Sequence, residues 1–147
     1  MKEPEKVNIL LVEDDEVDAM AVQRAFSKHR IENPITVACD GVEALEYLRG
    51  ENGKARFPRP YLILLDLNMP RMNGIEFLQE LRSDPKLRSS LVYVLTTSDD
   101  DRDKTAAYNN VVAGYILKSE VGRDFLPLVG MIEKVSIAIH FPPDVDA

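Results

Sequence analysis

The chain has 147 residues, of which 45% are hydrophobic and 29% charged, and a net charge of -7. That length fits one domain with one packed core. The excess of acid excludes a protein whose main partner is nucleic acid or an anionic membrane, since both require clustered Lys and Arg.

Short apolar runs alternate with longer amphipathic stretches. Val7 to Val12 is nearly continuous in apolar residues, as expected of a strand covered on both faces. A helix is predicted from Asp15 or Glu16 to about His29, with Ala21, Val22, Ala25 and Phe26 on one stripe and acids in its first turn, where the helix dipole favours them. Pro34 to Ala38 reads as the second strand, broken by Asp40-Gly41, and Val42, Leu45 and Leu48 mark a short helix ending at Arg49. Gly50 to Pro60 carries two Gly and two Pro and reads as a surface loop. Tyr61 to Leu65 is the third predicted strand and ends at Asp66. A turn with Pro70 and Gly74 then opens a helix that Asp84-Pro85 stops. Leu91 to Leu95 is the fourth strand, followed by a polar helix from Asp101 to Asn110, and Gly114 to Leu117 is the fifth, ending at Lys118. A last helix is expected from Val121 to His140, with Pro127 tolerable only in its first turn.

Five strands separated by helices imply an α/β fold, a five-stranded parallel sheet with helices on both faces. Chemistry in such sheets collects at the carboxyl ends of the strands. Here those ends carry Glu13-Asp14-Asp15, Asp66, Thr96 and Lys118. Adjacent strands lie about 5 Å apart, so these groups converge on one pocket. Crowded carboxylates need a compensating cation, and an oxygen-rich pocket favours Mg²⁺ over metals that prefer His or Cys. His29 and His140 fall away from this edge and are assigned no ligand role. Acidity elsewhere has an ordinary reading as solubility.

The single cysteine, Cys39, excludes an internal disulfide framework and suits a reducing compartment. At the end of a strand it reads as a buried, inert thiol. The charged N-terminus lacks the apolar stretch of a signal peptide, and no run nears the roughly eighteen apolar residues of a membrane span. A cytoplasmic protein is expected.

Four motifs, each at the end of a predicted strand, carry a resemblance that spans residues 6–140. They are Leu11-Val-Glu-Asp-Asp15, Leu64-Leu-Asp-Leu-Asn-Met-Pro70 with Gly74, Leu95-Thr-Thr97, and Gly114-Tyr-Ile-Leu-Lys118. Together they resemble the receiver domain of two-component response regulators, a flavodoxin-like, doubly wound fold. The resemblance implies that Asp66 accepts a phosphoryl group from a sensor histidine kinase. It implies that Glu13, Asp14, Asp66 and the backbone carbonyl of Asn68 hold Mg²⁺. Lys118 would pair with the phosphoryl oxygens, and Thr96 would detect them, its hydroxyl gaining a charge-assisted acceptor. Tyr115 would be either the aromatic partner that moves with Thr96 or an ordinary edge-strand aromatic. Asp15 is read as a helix N-cap, and Asn68 and Ser98 as positions that tune the lifetime of the phosphoaspartate.

The chain departs from the family pattern at Ser119, where receivers usually carry proline, which leaves the conformation of that loop open. The Lys118-Ser119 pair, the proline-bearing loop, the Leu95-Thr-Thr-Ser98 run and the extended C-terminus are similar to the receivers that partner bacterial and cyanobacterial phytochromes. In the last helix Leu128, Val129, Ile132, Val135 and Ile139 form one stripe, leaving Leu126, Met131, Ile137 and Phe141 on other faces. A helix apolar beyond one stripe has a second partner: a homodimer through this helix and the fifth strand is expected, with a folded-back tail as the alternative. A receiver domain over 6–140, a short tail over 141–147 and no output domain are expected, with output through protein contacts around the fourth helix, fifth strand and last helix.

Such a switch catalyses only its own phosphorylation and dephosphorylation and is otherwise no enzyme. A phosphatase of the haloacid dehalogenase type would place a second Asp where Asn68 stands and would carry a cap insertion. A flavin carrier would need a Ser/Thr/Gly-rich phosphate loop after the first strand, where acids stand instead. A receiver acting without phosphate is expected to have lost pocket residues, and here the set is complete.

Overall fold

The computed structural model describes residues 6–122, 125–138 and 140–143, with the backbone alone at 136–138. Five strands, β1 (Asn8–Val12), β2 (Ile35–Ala38), β3 (Tyr61–Leu65), β4 (Leu91–Thr96) and β5 (Gly114–Leu117), alternate with α1 (Glu16–Lys28), α2 (Gly41–Arg49), α3 (Gly74–Ser83), α4 (Asp101–Asn109) and α5 (Leu126–Ala138). The strands pair in parallel in the order β2-β1-β3-β4-β5. The expected α/β fold is therefore observed, and its strand order reverses between β1 and β3, where an open parallel sheet leaves a crevice.

Alternation along each strand divides the apolar residues between two cores. Leu10, Val12, Ile63 and Leu65 face α2, α3 and α4, where they meet Leu45, Phe77, Leu78 and Ala107. Ile9, Leu11, Leu62 and Leu64 face α1 and α5, where they meet Val22, Phe26, Leu128 and Ile132. Side chains as fully buried as Phe26 and Phe77 contribute about 1.5–3 kcal/mol each relative to exposure.

Polar residues set the helix starts. Asp15 is the N-cap of α1, as expected, its Oδ1 accepting the backbone N–H groups of Val17 and Asp18. Asp40 caps α2, and Asn73 with Glu76 forms a capping box on α3.

Three expectations change. The last helix begins at Leu126, five residues later than read: a 3-10 turn over Lys118–Glu120 follows β5, and Gly122 and Phe125 then take positive φ (75° and 53°), which a right-handed helix does not admit; Pro127 still lies in the first turn of α5. The loop at 50–60 is more than surface: Phe57 is buried edge-on between Tyr47 and Tyr61 and extends the core beneath it. Cys39 is exposed rather than buried. Ala38 takes the last inward position of β2, and Cys39 Sγ lies 3.7 Å from Glu43 Oε2 at the rim.

Within α5 the stripe Leu128, Val129, Ile132 and Val135 is buried as expected. Ile139 and residues 144–147 of the tail lie outside the described residues, as does the side chain of Ile137. Met131 and Phe141, expected on other faces, pack against the chain's own α1/α5 core, whereas Leu126 is exposed. Phe141 thus follows the folded-back alternative. Among the described residues no helix is long and apolar enough to cross a membrane.

Candidate functional site

The strand register delivers the acids to one place. Val12 of β1 pairs with Leu65 of β3, so Glu13 and Asp66 both follow the last paired residues of adjacent strands. Backbone bonds from Glu13 N to Ala38 O (2.9 Å) and from Asp66 N to Val12 O (3.0 Å) hold both acids at the sheet edge. Carboxylate oxygens of Glu13, Asp14 and Asp66 lie within 4.8 Å of one another, the first and third buried and Asp14 exposed at the rim. These oxygens suit a hard divalent cation, and the donor set contains no His or Cys that would favour a softer one. His29 ends α1 at the far pole, about 20 Å from its N-terminus by helix rise.

Asp66 is 6% exposed and its carboxylate is partnered from several sides. Thr96, at the end of β4 and fully buried, donates its hydroxyl to Asp66 Oδ1 at 2.8 Å, and the Asn68 backbone N–H reaches the same oxygen at 3.3 Å. Lys118, at the end of β5, places Nζ 3.3 Å from Asp66 Oδ2. The same ammonium donates to Glu13 Oε2 and to Asp18 Oδ2, both at 2.7 Å.

Burial pushes the Glu13 carboxyl up to about 7. The hydrogen bond from Lys118 pulls it down, and the Asp66 charge pushes it further up. Burial works against the Lys118 ammonium, but hydrogen bonds to Asp18 and Glu13 and the charges of Glu13 and Asp66 outweigh it and raise its pKa. The lysine is therefore a fixed cation at neutral pH.

Gly74, the first residue of α3, lets that helix close on the site. A Cβ there would lie 2.6 Å from both Asp66 O and Leu67 Cα, so only glycine fits. Asn68 is exposed and lines an open groove with Asp14, Pro70 and Asn73 beside the acids. Ser98 turns toward α4 instead, its Oγ donating to Asp103 Oδ2 at 2.5 Å. The Tyr115 hydroxyl donates to the Ser98 backbone carbonyl at 2.8 Å, tying β5 to the loop after Thr96.

Two participants are absent from the sequence reading. In the sequence Asp18 is one more acid in the first turn of α1, and its one signal is a position three residues after the N-cap, where a side chain turns back toward the helix start. Asp40 reads in the sequence as a strand breaker; it is buried and paired with Arg71 Nε at 2.7 Å, which joins the loop before α2 to the loop after Asp66.

A family model described as the response regulator receiver domain matches residues 9–128. The response regulator Rcp1 of Synechocystis sp. is 39% identical over 130 residues, 88% of each chain. Among solved structures, the phosphorylated cyanobacterial phytochrome response regulator RcpA superposes with a TM-score of 0.82 at 36% identity, covering 95% of this chain and all of that one. The Mn²⁺-bound form of Rcp1 does so with a TM-score of 0.80 at 36% identity, again over 95% of this chain and all of that one. With the acids, hydroxyl and lysine gathered where the register requires, and with relatives that match along most of their length, the chain belongs to the response regulator receiver family.

Proposed function

We propose that this protein is a phosphorelay switch that accepts a phosphoryl group on Asp66 from a sensor histidine kinase of the phytochrome type. The observation that carries the reading is the convergence on one buried carboxylate of a hydroxyl at 2.8 Å and an ammonium at 3.3 Å, beside two further acids. The likeness to phytochrome response regulators supports the class of kinase.

In the transfer, an Asp66 carboxylate oxygen forms a bond to phosphorus as the P–N bond to the kinase's phosphohistidine breaks, the electron pair leaving with the imidazole nitrogen. Little covalent chemistry falls to the protein, which must position groups and offset charge. Glu13, Asp14, Asp66 and the backbone carbonyl of Asn68 would hold Mg²⁺, which when bound offsets the charge of the carboxylate and the incoming phosphoryl oxygens. Lys118 supplies the second positive charge. Thr96, whose hydroxyl has Asp66 Oδ1 as acceptor at rest, exchanges it for a phosphoryl oxygen. The loop from Thr96 to Ser98 is bonded to Tyr115, so a shift of Thr96 is felt at β5. Asn68 and Ser98, two residues beyond Asp66 and Thr96, tune the lifetime of the adduct. The readout is a changed surface around α4, β5 and α5, where exposed Leu126 supports a homodimer contact.

The test is intact-mass spectrometry after incubation with Mg²⁺ and acetyl phosphate, with Asp66→Asn in parallel. A Mg²⁺-dependent phosphoryl adduct is expected on the wild type and none on the variant. Absence of an adduct with both acetyl phosphate and a phytochrome-type kinase would overturn the reading.

A further inference from the structure

We propose that Asp18 is a positioning residue for Lys118: with Glu13 it fixes two of the ammonium's three N–H groups and thereby aims the third at Asp66. The inference rests on the reading of Asp66 as phosphoacceptor and Lys118 as its cationic partner.

An ammonium has three donors and no acceptor, and the Lys118 ammonium has three carboxylates around it. Two contacts are short, 2.7 Å to Glu13 and 2.7 Å to Asp18, and the third, to Asp66, is longer at 3.3 Å. The long leg is the one that an arriving phosphoryl oxygen would take over from Asp66, so the two short legs set the aim. Without them, a lysine on a flexible four-carbon stem samples many rotamers. Here the side chain is only 10% exposed.

Asp18 is free for this task because its usual one is taken. It stands at the third position of α1, where an acid ordinarily reaches back to the N-cap N–H. That N–H, of Asp15, donates instead to Glu13 Oε1 at 3.1 Å. Glu13 and Asp66 belong to the acid cluster that suits a divalent cation, whereas Asp18 stands outside it. When a cation draws on Glu13 and Asp66, Asp18 remains the carboxylate committed to the lysine.

The experiment compares the wild type with Asp18→Ala and Asp18→Asn, each folded by circular dichroism. It measures the rate of adduct formation with acetyl phosphate at several Mg²⁺ concentrations and, by ¹⁵N NMR, the Lys118 ammonium resonance, whose exchange the bonds to Glu13 and Asp18 are expected to slow in the wild type. For Asp18→Ala we expect that resonance to vanish and the maximal rate to fall about tenfold, with half-saturating Mg²⁺ moving less than about twofold, since misplacement of one group costs rate rather than cation affinity. Asp18→Asn, which keeps the acceptor oxygen but loses its charge, is expected in between. A wild-type rate in Asp18→Ala overturns the proposal whatever the resonance does, and so does a loss of rate matched by an equal loss of Mg²⁺ affinity. If the wild type itself takes no phosphoryl group, the phosphoacceptor reading fails, and persistence of the resonance in Asp18→Ala separately overturns the role of Asp18.

Discussion

The hydroxyl of Thr96, itself fully buried, is bonded to Asp66 Oδ1 at 2.8 Å, so the resting carboxylate already occupies the donor that would report on its modification. The proposed switch therefore needs no new group to appear. It needs only a stronger acceptor to take over a hydrogen bond that exists.

Thr96→Val keeps the shape and removes the donor. It leaves a buried carboxylate oxygen with only the longer bond from Asn68, at a cost of about 1.5–3 kcal/mol as for hydrogen bonds to charged groups. Urea unfolding should show a lower midpoint with an unchanged slope, and Thr96→Ser should recover most of the loss.

The clustered acids predict a response to divalent cations. If Mg²⁺ occupies this cluster as proposed, and so binds the folded state alone, a hundredfold excess over its Kd should add about 2.7 kcal/mol of stability. The melting temperature of the wild type should rise with Mg²⁺ concentration, and that rise should be largely lost in Asp14→Asn. Asp14 is at the rim of the cluster and exposed, so this substitution leaves the core intact.

The Asp40–Arg71 pair predicts a pH-dependent stability. Burial acts to raise the Asp40 carboxyl, but the hydrogen bonds from Arg71 and from the Glu43 backbone outweigh it and hold the group below its ordinary 3.8. A depressed folded value stabilises the protein above the unfolded value and ceases to do so as pH falls through the folded one. Arg71→Ala should therefore lower stability at neutral pH, though only modestly, because Arg71 is more than half exposed and the pair is screened by solvent. That gap should close as pH falls below 3.8 and through the depressed folded value, as read in unfolding curves taken across the acid range.

Gly74→Ala tests the closeness of α3 to the site. The added methyl would overlap the Asp66 carbonyl and Leu67 Cα, backbone atoms that have no room to give. A destabilisation of about 1–3 kcal/mol is expected, as for overpacking elsewhere. Backbone amide shifts should centre on Asp66 to Asn68 in NMR spectra; shifts confined to α3 would argue against this account.

The order and kind of the elements follow from the sequence, because buried parallel strands read as unbroken apolar runs and their helices as single stripes. Strand boundaries at Tyr61–Leu65 and Gly114–Leu117 come out as read, and so does Asp15 as a cap. Glu13, Asp14, Asp66, Thr96 and Lys118 are equally legible, since each ends an apolar run and the sheet brings such ends together. What only the tertiary structure decides is which partner a long or exposed side chain takes. Asp18 points at a lysine 100 residues away, Asp40 at Arg71 across two loops, and Phe57 leaves its polar loop for the core. Cys39 turns outward for the same reason in reverse, one residue past the last inward position of its strand. Periodicity fixes the face of a residue inside a helix or strand, but at element ends and in loops the direction is set by contacts between segments distant in sequence.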